Sequence, residues 1–410
     1  MKKLLLVLLI LSLFINHLNA NEKDLNIIQK DKKEYRLLDK ESIQTRQQSQ
    51  KYDWISPIDL SGNIGRNHSF SDENSRNLNN KNTKSASIGF TQSIFESGGI
   101  GFKMDYADNR FKYEMLSWEN QNSQLIYTIY NTLLDIKKLK LEINQNDYRI
   151  VNKDIELIIK KIQYEAGKTD IIELNNAIMS KNLIQKEEIA LKNSLKEKEQ
   201  ELAKYTDLKY DEIEILDFQE TNKDIFLDKN YSILEADAKV GMLNSEYKIK
   251  KSQYLPKLSL SAKASYSNQD EKFNSMINDT NKDDATSSGS LILSMPLYDY
   301  TKSSKIQESK IEVLKQKALV NDLKNETAFE YEQIFTKIDT YLKQNETINK
   351  NIKLYEELIG ANQISSEAGM TSKYDLEILE NTKTINEFDI LINKINILQQ
   401  YAKLYFKIKN

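Results

Sequence analysis

The sequence has no cysteine, and only three prolines and eleven glycines among 410 residues. Without cysteine there are no disulfides, no thiolate metal sites, no thiol nucleophile and no lipid-modified N-terminal Cys. Scarce glycine and proline, with a Lys, Glu, Leu, Ile and Asn bias, suit long uninterrupted helices. Histidine is nearly missing as well: outside the N-terminal segment there is only His68, which reads as a surface residue. No stretch after the N-terminal one is apolar over about 18 residues, so no transmembrane helix is expected. Charge of one sign is also missing. The net charge is -3, with no dense basic block, which gives no nucleic-acid footprint.

What is present begins at the N-terminus. Lys2 and Lys3 precede an apolar run from Leu4 to Ile15, followed by a polar stretch ending at Ala20. That order predicts a secretory signal peptide over residues 1–20. A short stretch then appears twice. Tyr164-Glu165-Ala166-Gly167-Lys168-Thr169 is echoed by Ser366-Glu367-Ala368-Gly369-Met370-Thr371. Each is followed by an acid and a Leu, Glu173-Leu174 in the first copy and Asp375-Leu376 in the second. The glycines are 202 residues apart, too far for a solenoid repeat. The period reads as a duplicated half-protein: residues 21–220 and 221–410. Gly167 and Gly369 would end one helix in a left-handed turn, and Thr169 and Thr371 would cap the next. Each stretch is thus the tip of an antiparallel helical hairpin.

Upstream of each tip the period changes. After Pro57, Ile58, Leu60 and Ile64 alternate with Asp59, Ser61 and Asn63. A polar loop from Ser69 to Lys84 leads to a second strand with Ala86, Ile88 and Phe90 on one face. The later half repeats this after Pro256: Leu258, Leu260, Ala262, Ala264 and Tyr266 alternate with polar residues. A loop over Asn268–Ser288 follows, then a strand with Leu291, Leu293 and Met295 that ends at Pro296. The strand pairs span about 57–96 and 256–297, with the prolines at strand–helix junctions. Between strands and tip, Leu125, Ile129, Thr132, Ile136, Leu139, Ile143, Asn146 and Ile150 step by alternating fours and threes. Ile334, Ile338, Tyr341, Asn345, Ile348, Ile352, Tyr355 and Ile359 do the same. This is a coiled-coil seam. A helix from Phe102 to Glu165 would be about 95 Å long at ~1.5 Å per residue.

The fold class is therefore α+β and mostly α: long coiled hairpins in two halves, with four strands of membrane-crossing length. Four strands cannot close a barrel, and open edges in lipid leave backbone groups unpaired. Strands from identical chains would complete it, eight with two chains or twelve with three.

In this order, twice, the motifs resemble the TolC-type outer-membrane efflux proteins. The resemblance rests on the Gly167 tip with Glu173-Leu174, on Pro256-Lys257-Leu258-Ser259-Leu260-Ser261, and on Ser294-Met295-Pro296-Leu297-Tyr298-Asp299. It covers essentially the whole chain after the leader. It implies a homotrimer with a twelve-stranded barrel in the outer membrane and a helical tunnel in the periplasm. The tips would meet a periplasmic adaptor (a membrane fusion protein) and, through it, an inner-membrane transporter. The function implied is a passive exit duct for efflux or type I secretion, with no cofactor, no metal and no catalysis. It also implies that Asp375 lines the channel mouth, with Glu173 its counterpart; the plain alternative is a first-turn acid favoured by the helix dipole. Gly167, Thr169, Gly369 and Thr371 would face the adaptor. The chain departs from the family at Ile378, where a second acidic ring can occur. It departs again at Ser366 and Thr371, where a closing Tyr and Arg can stand, and at Gln163 and Ser365, where an Arg is frequent. Trp54, Tyr266, Tyr298 and Tyr300 fit an interfacial aromatic belt or packing at the strand–helix joints. The alternative function is a secreted coiled-coil surface interaction protein, which has no use for mirrored strand pairs bounded by proline. Gly98-Gly99-Ile100-Gly101 lacks the residues of a phosphate loop and reads as a strand-to-helix joint.

Overall fold

The computed structural model describes residues 24–69, 79–216, 218, 220–270, 282–367 and 372–409. The leader, Gly369 and Thr371 lie outside them. After a short 3-10 turn come helix α1 (Lys30–Tyr52), strands β1 (Asp59–Ser69) and β2 (Asn79–Phe95), and helices α2 (Gly99–Glu165) and α3 (Ile171–Leu202). The short helix α4 (Lys223–Asp228) precedes α5 (Tyr231–Ser252), strands β3 (Lys257–Asp270) and β4 (Lys282–Ser294), and helices α6 (Lys302–Glu367) and α7 (Lys373–Phe406). The order helix, two strands, very long helix and returning helix thus occurs twice. The chain folds as two compact units, one of residues 41–115 and 235–320, the other of 1–40, 116–234 and 321–410.

The first unit holds an antiparallel sheet in the order β1-β2-β3-β4. The register puts Leu60 opposite Ile88, Ile88 opposite Ala264 and Leu260 opposite Leu291. One face is therefore largely apolar, interrupted by Gln92 and Ser287 and, towards the strand ends, by Lys84, Asn268 and Asp283. The other carries a hydroxyl ladder: Ser61 meets Ser87 at 2.8 Å, Thr91 meets Ser261 at 3.0 Å, and Ser265 meets Thr286 at 2.7 Å. Such cross-strand pairs add stability and hold the register. Gly89 is needed where it stands, because a Cβ there would sit 2.9 Å from the Ala262 carbonyl oxygen. The strands run further into the polar segments than the alternation implied. Asn79–Lys84 and Lys282–Ser288, expected as loop, are paired strand. The hairpin ladder continues once the apolar side chains end, because each added rung satisfies two backbone groups.

Pro57 and Pro256 precede β1 and β3, and Pro296 follows β4. The joint from β2 into α2 is a sharp one. Ser97 and Gly98 have φ of 50° and 88°, the Ser97 hydroxyl donates to the Pro256 carbonyl at 2.7 Å, and Lys103 pairs with Glu96 at 2.9 Å. Helix α2 starts at Gly99, three residues earlier than Phe102.

The second unit is helical. Its core joins Phe226, Ile334, Ile338, Leu404 and Ile408, flanked by Tyr331, Phe335 and Tyr401. Of the stepped positions of α2 and α6, Ile129, Thr132, Ile136, Asn146, Ile334 and Ile338 are buried and the others are half-buried. Beside the core, Glu330 pairs with Lys403 at 2.8 Å and with Lys407. Burial alone would raise the Glu330 carboxyl, but the two ammonium groups outweigh it and hold it below the usual range. The segment after α3 is used as a cap. Asp207 accepts from the Lys30 backbone N–H at 2.9 Å, and the Tyr205 carbonyl accepts from Gln29 at 2.8 Å. Both satisfy N-terminal groups of α1.

Two outcomes follow from this packing. Leu404→Ala leaves a cavity in the core and costs about 3 kcal/mol, read as a lower thermal midpoint of the purified protein. Asn146 donates to the Ile184 carbonyl at 3.3 Å, yet its buried Oδ1 has no partner among the described residues. A polar group at a coiled-coil core position sets register at a cost in stability. Asn146→Leu therefore raises the thermal midpoint; a lowered midpoint would show that the bond to Ile184 outweighs that cost.

Candidate functional site: the helix tips and the sheet

At the first tip, α2 ends in a full Schellman turn. Lys168 N–H bonds the Gln163 carbonyl at 2.8 Å, and Gly167 N–H bonds that of Tyr164 at 2.9 Å. Gly167 has φ of 68° with open space around it, so backbone conformation, not packing, demands glycine there. The expected cap is corrected by one residue. Asp170, not Thr169, caps α3, its carboxylate accepting from the Glu173 N–H at 2.9 Å. At the second tip Ser372, not Thr371, caps α7, accepting from Tyr374 N–H at 3.2 Å. A side chain reaches the N2 or N3 amide only from the residue at the helix boundary itself, and both boundaries fall one residue later than the threonines. Thr169 is half-buried in the turn.

Glu173 lies in the first turn of α3 and pairs with Lys160 of α2 at 2.9 Å. Asp375 lies in the first turn of α7, exposed, with no ion pair among the described residues. The two acids expected to be counterparts therefore differ: one is neutralised within its own hairpin and the other is not. No hydrogen bond or ion pair joins them among the described residues.

A set of polar contacts above the tips escaped the sequence reading. Gln145 of α2 donates to the Ile385 carbonyl at 2.9 Å and to Asp389 at 2.7 Å on α7. Asn152 donates to Thr382 at 3.3 Å and accepts from Asn381 at 2.9 Å. Asn345 and Asn393 meet at 2.9 Å between α6 and α7. The available signal was amide residues recurring at or beside the seam positions, as Asn146 and Asn345 do.

On the sheet, the apolar face is uncovered. Leu60, Leu291 and Leu293 are 79%, 66% and 73% exposed. Tyr298 and Tyr300 are exposed just beyond β4, whereas Tyr266 stands on the apolar face itself, opposite Ala86 and Ala285. Among the described residues there is no group of acidic or histidine side chains able to hold a metal, and no helix long and apolar enough to cross a membrane.

The tip makes a local test possible. Asp170→Ala removes the cap and costs about 1 kcal/mol, while Gly167→Ala, forced to keep a left-handed backbone, costs about 1–2 kcal/mol. Hydrogen exchange of the 160–175 amides should quicken in both, with the rest of the helices unchanged; exchange that quickens throughout would mean that the turn holds more than its own hairpin.

Residues 224–403 match the family model described as "Outer membrane efflux protein". No curated protein matches the chain in sequence. Several solved structures share the fold. The outer membrane protein VceC of Vibrio cholerae superposes with a TM-score of 0.71 at 12% identity, over 94% of this chain and 93% of that one. The CmeC outer membrane channel of Campylobacter jejuni gives 0.69 at 13% identity, over 92% and 84%. The MtrE outer membrane channel of Neisseria gonorrhoeae, in its open state, gives 0.66 at 11% identity, over 91% and 85%. The latter half of the chain thus matches the outer membrane efflux proteins in sequence and the chain as a whole has the fold of outer-membrane channels, so its resemblance to the TolC-type efflux proteins holds.

Proposed function

We propose that the protein is the outer-membrane exit duct of a tripartite efflux or type I secretion system. The observation that carries this is the sheet: four long strands, one apolar face, one hydroxyl-lined face and two unpaired edges. In water an uncovered apolar face of this size is a liability. In lipid it is the expected exterior, and the hydroxyl face is the expected lining of an aqueous pore. The edges remain the difficulty, since each unpaired backbone group in hydrocarbon costs several kcal/mol. Three copies closing head to tail would give twelve strands and no edge.

The helices support the same assembly. On α3, Ile172, Met179, Leu183 and Ile189 are exposed. On α6, Leu342, Leu354, Leu358 and Ile364 are exposed. Two different uncovered stripes on one chain suit a heterologous interface, which forms a ring when the rotation closes. The element order favours two copies of one ancestral unit, residues 21–220 and 221–410, behind a signal peptide. The tips around Gly167 and Gly369, with Thr169 and Thr371, would meet a periplasmic adaptor and, through it, an inner-membrane transporter. The duct performs no reaction and uses no cofactor; selectivity would come from width and lining charge.

Asp375 is the residue we assign to the mouth. Symmetry would repeat its exposed carboxylate three times around one axis, and such a ring attracts cations and repels anions. Asp375→Asn should then lower the cation preference of single channels in planar bilayers, while Glu173→Gln, already neutralised by Lys160, changes it less. Equal and unaltered selectivity in both would remove Asp375 from the mouth. The duct itself is tested first by the mass of the protein purified from outer membranes in mild detergent: a trimer is expected, and a soluble monomer would overturn the reading.

A further inference from the structure

The two sheet edges contain more than a need for partners, because they specify how the partners align. We propose that β4 pairs along its full length with β1 of a second copy, in the register that sets Lys282 opposite Ser69 and Ile292 opposite Asp59. This rests on the barrel reading and adds to it the contact that closes the barrel.

Three features together favour that register. The first is parity. In β1 the apolar face carries even-numbered residues such as Leu60 and Ile64, and in β4 odd-numbered ones such as Leu291 and Leu293. An apolar face continuous across the seam requires even opposite odd, which leaves only registers two residues apart. The second is overlap and side-chain match. The proposed register pairs every residue of β1, Asp59–Ser69, within β4, Lys282–Ser294. It sets Leu291 opposite Leu60 on the apolar face. On the other face it sets Ser290 opposite Ser61, which continues the hydroxyl ladder seen inside the sheet. A slip one way leaves the last residues of β1 beyond the start of β4. A slip the other way keeps β1 within β4 but sets Ser290 opposite Asn63 instead of Ser61 and carries Asp283 past the end of β1.

The third is the tilt of a closed barrel. Ile64, Lys84, Asn268 and Asp283 stand opposite one another in turn across the sheet. In the proposed register Asp283 faces residue 68 of the next copy, so one circuit of four strands climbs from residue 64 to 68. With about 4.8 Å between strands and about 3.4 Å per residue, this tilts the strands by about 35°, within the range of about 35–45° typical of closed barrels. A climb shorter by two residues gives about 20°, well below that range, and one longer by two gives about 47°, at its upper limit. At the polar end, Arg66 has no charged partner among the described residues and shares its face with Asp283. The register sets Arg66 opposite Ala285, diagonal to Asp283 and within reach of a long side chain.

The absence of cysteine makes the test direct. The near-isosteric pair Ser61→Cys with Ser290→Cys is introduced into the full chain and oxidised in outer membranes, beside the slipped pairs Ser61→Cys with Ser288→Cys and Ser61→Cys with Ile292→Cys. Within one copy these positions lie on opposite edges, more than about 14 Å apart, so any bond joins two copies. The first pair should form covalent oligomers at least about tenfold faster than either slipped pair, since a two-residue slip moves the Cβ atoms about 7–8 Å apart, beyond disulfide reach. Leu60→Cys with Leu291→Cys repeats the measurement on the apolar face. Faster bonding in a slipped pair overturns the register and leaves the barrel standing. Failure of every pair in chains recovered from the outer membrane overturns the barrel reading with it.

Discussion

A row of backbone amides and carbonyls along each edge of one sheet governs the rest of this structure. The strands satisfy one another internally, rung by rung, from Asp59 opposite Gly89 to Leu258 opposite Leu293. The outer sides of β1 and β4 have no such partner among the described residues. A soluble protein blunts such edges with short strands, charge or proline. Here both edge strands are long and their inner rungs are Ser, Gly, Leu and Ile. On the duct reading these edges would be paired by strands of matching length and pattern from further copies. The same reading would explain the alternation, since lipid on one side and water on the other demand two chemically distinct faces from a single layer.

The helical unit meets a different constraint. Helices of 67 and 66 residues cannot be held by one compact core, so contact must be renewed along their length. The four-three stepping does this, and the amides placed at or beside it fix which turn meets which. Gln145, Asn152 and Asn345 each meet a polar partner on a neighbouring helix. An all-aliphatic seam would hold as well at several registers, one turn apart. The buried amides remove that freedom, at the cost of the unpartnered Asn146 oxygen.

The sequence reveals those features that depend on local chemistry. Pro57 and Pro256 mark where helix gives way to strand, the period switches from 3.6 to 2 within a few residues, and Gly167 marks the turn because only a left-handed residue fits. The cap was misplaced because threonine and aspartate both satisfy the rule and only the true boundary decides between them. The polar strand ends were hidden for a related reason. Asn79–Lys84 and Lys282–Ser288 have no apolar side once they pass the uncovered band, so alternation vanishes while pairing persists. Least legible were contacts between distant segments. Nothing local to Asp207 or Tyr205 announces that they cap α1, and nothing local to Gln145 names Asp389 as its partner.

The difference between the two tips is the most informative of these distant effects. Glu173 and Asp375 occupy the same place after their glycines, each in a first turn that favours a negative charge. In the first hairpin Lys160 lies within 2.9 Å of Glu173, and the pair adds little net field. The position of the second hairpin corresponding to Lys160 is Asn362, 202 residues on, whose amide donates to the Leu358 carbonyl. It carries no charge to offset Asp375. Both hairpins carry the acid but only the first carries the neutralising lysine, so in the symmetric assembly proposed above only the Asp375 charge would be multiplied uncompensated. On the duct reading, the second hairpin would then be the one that faces cargo and the first its support.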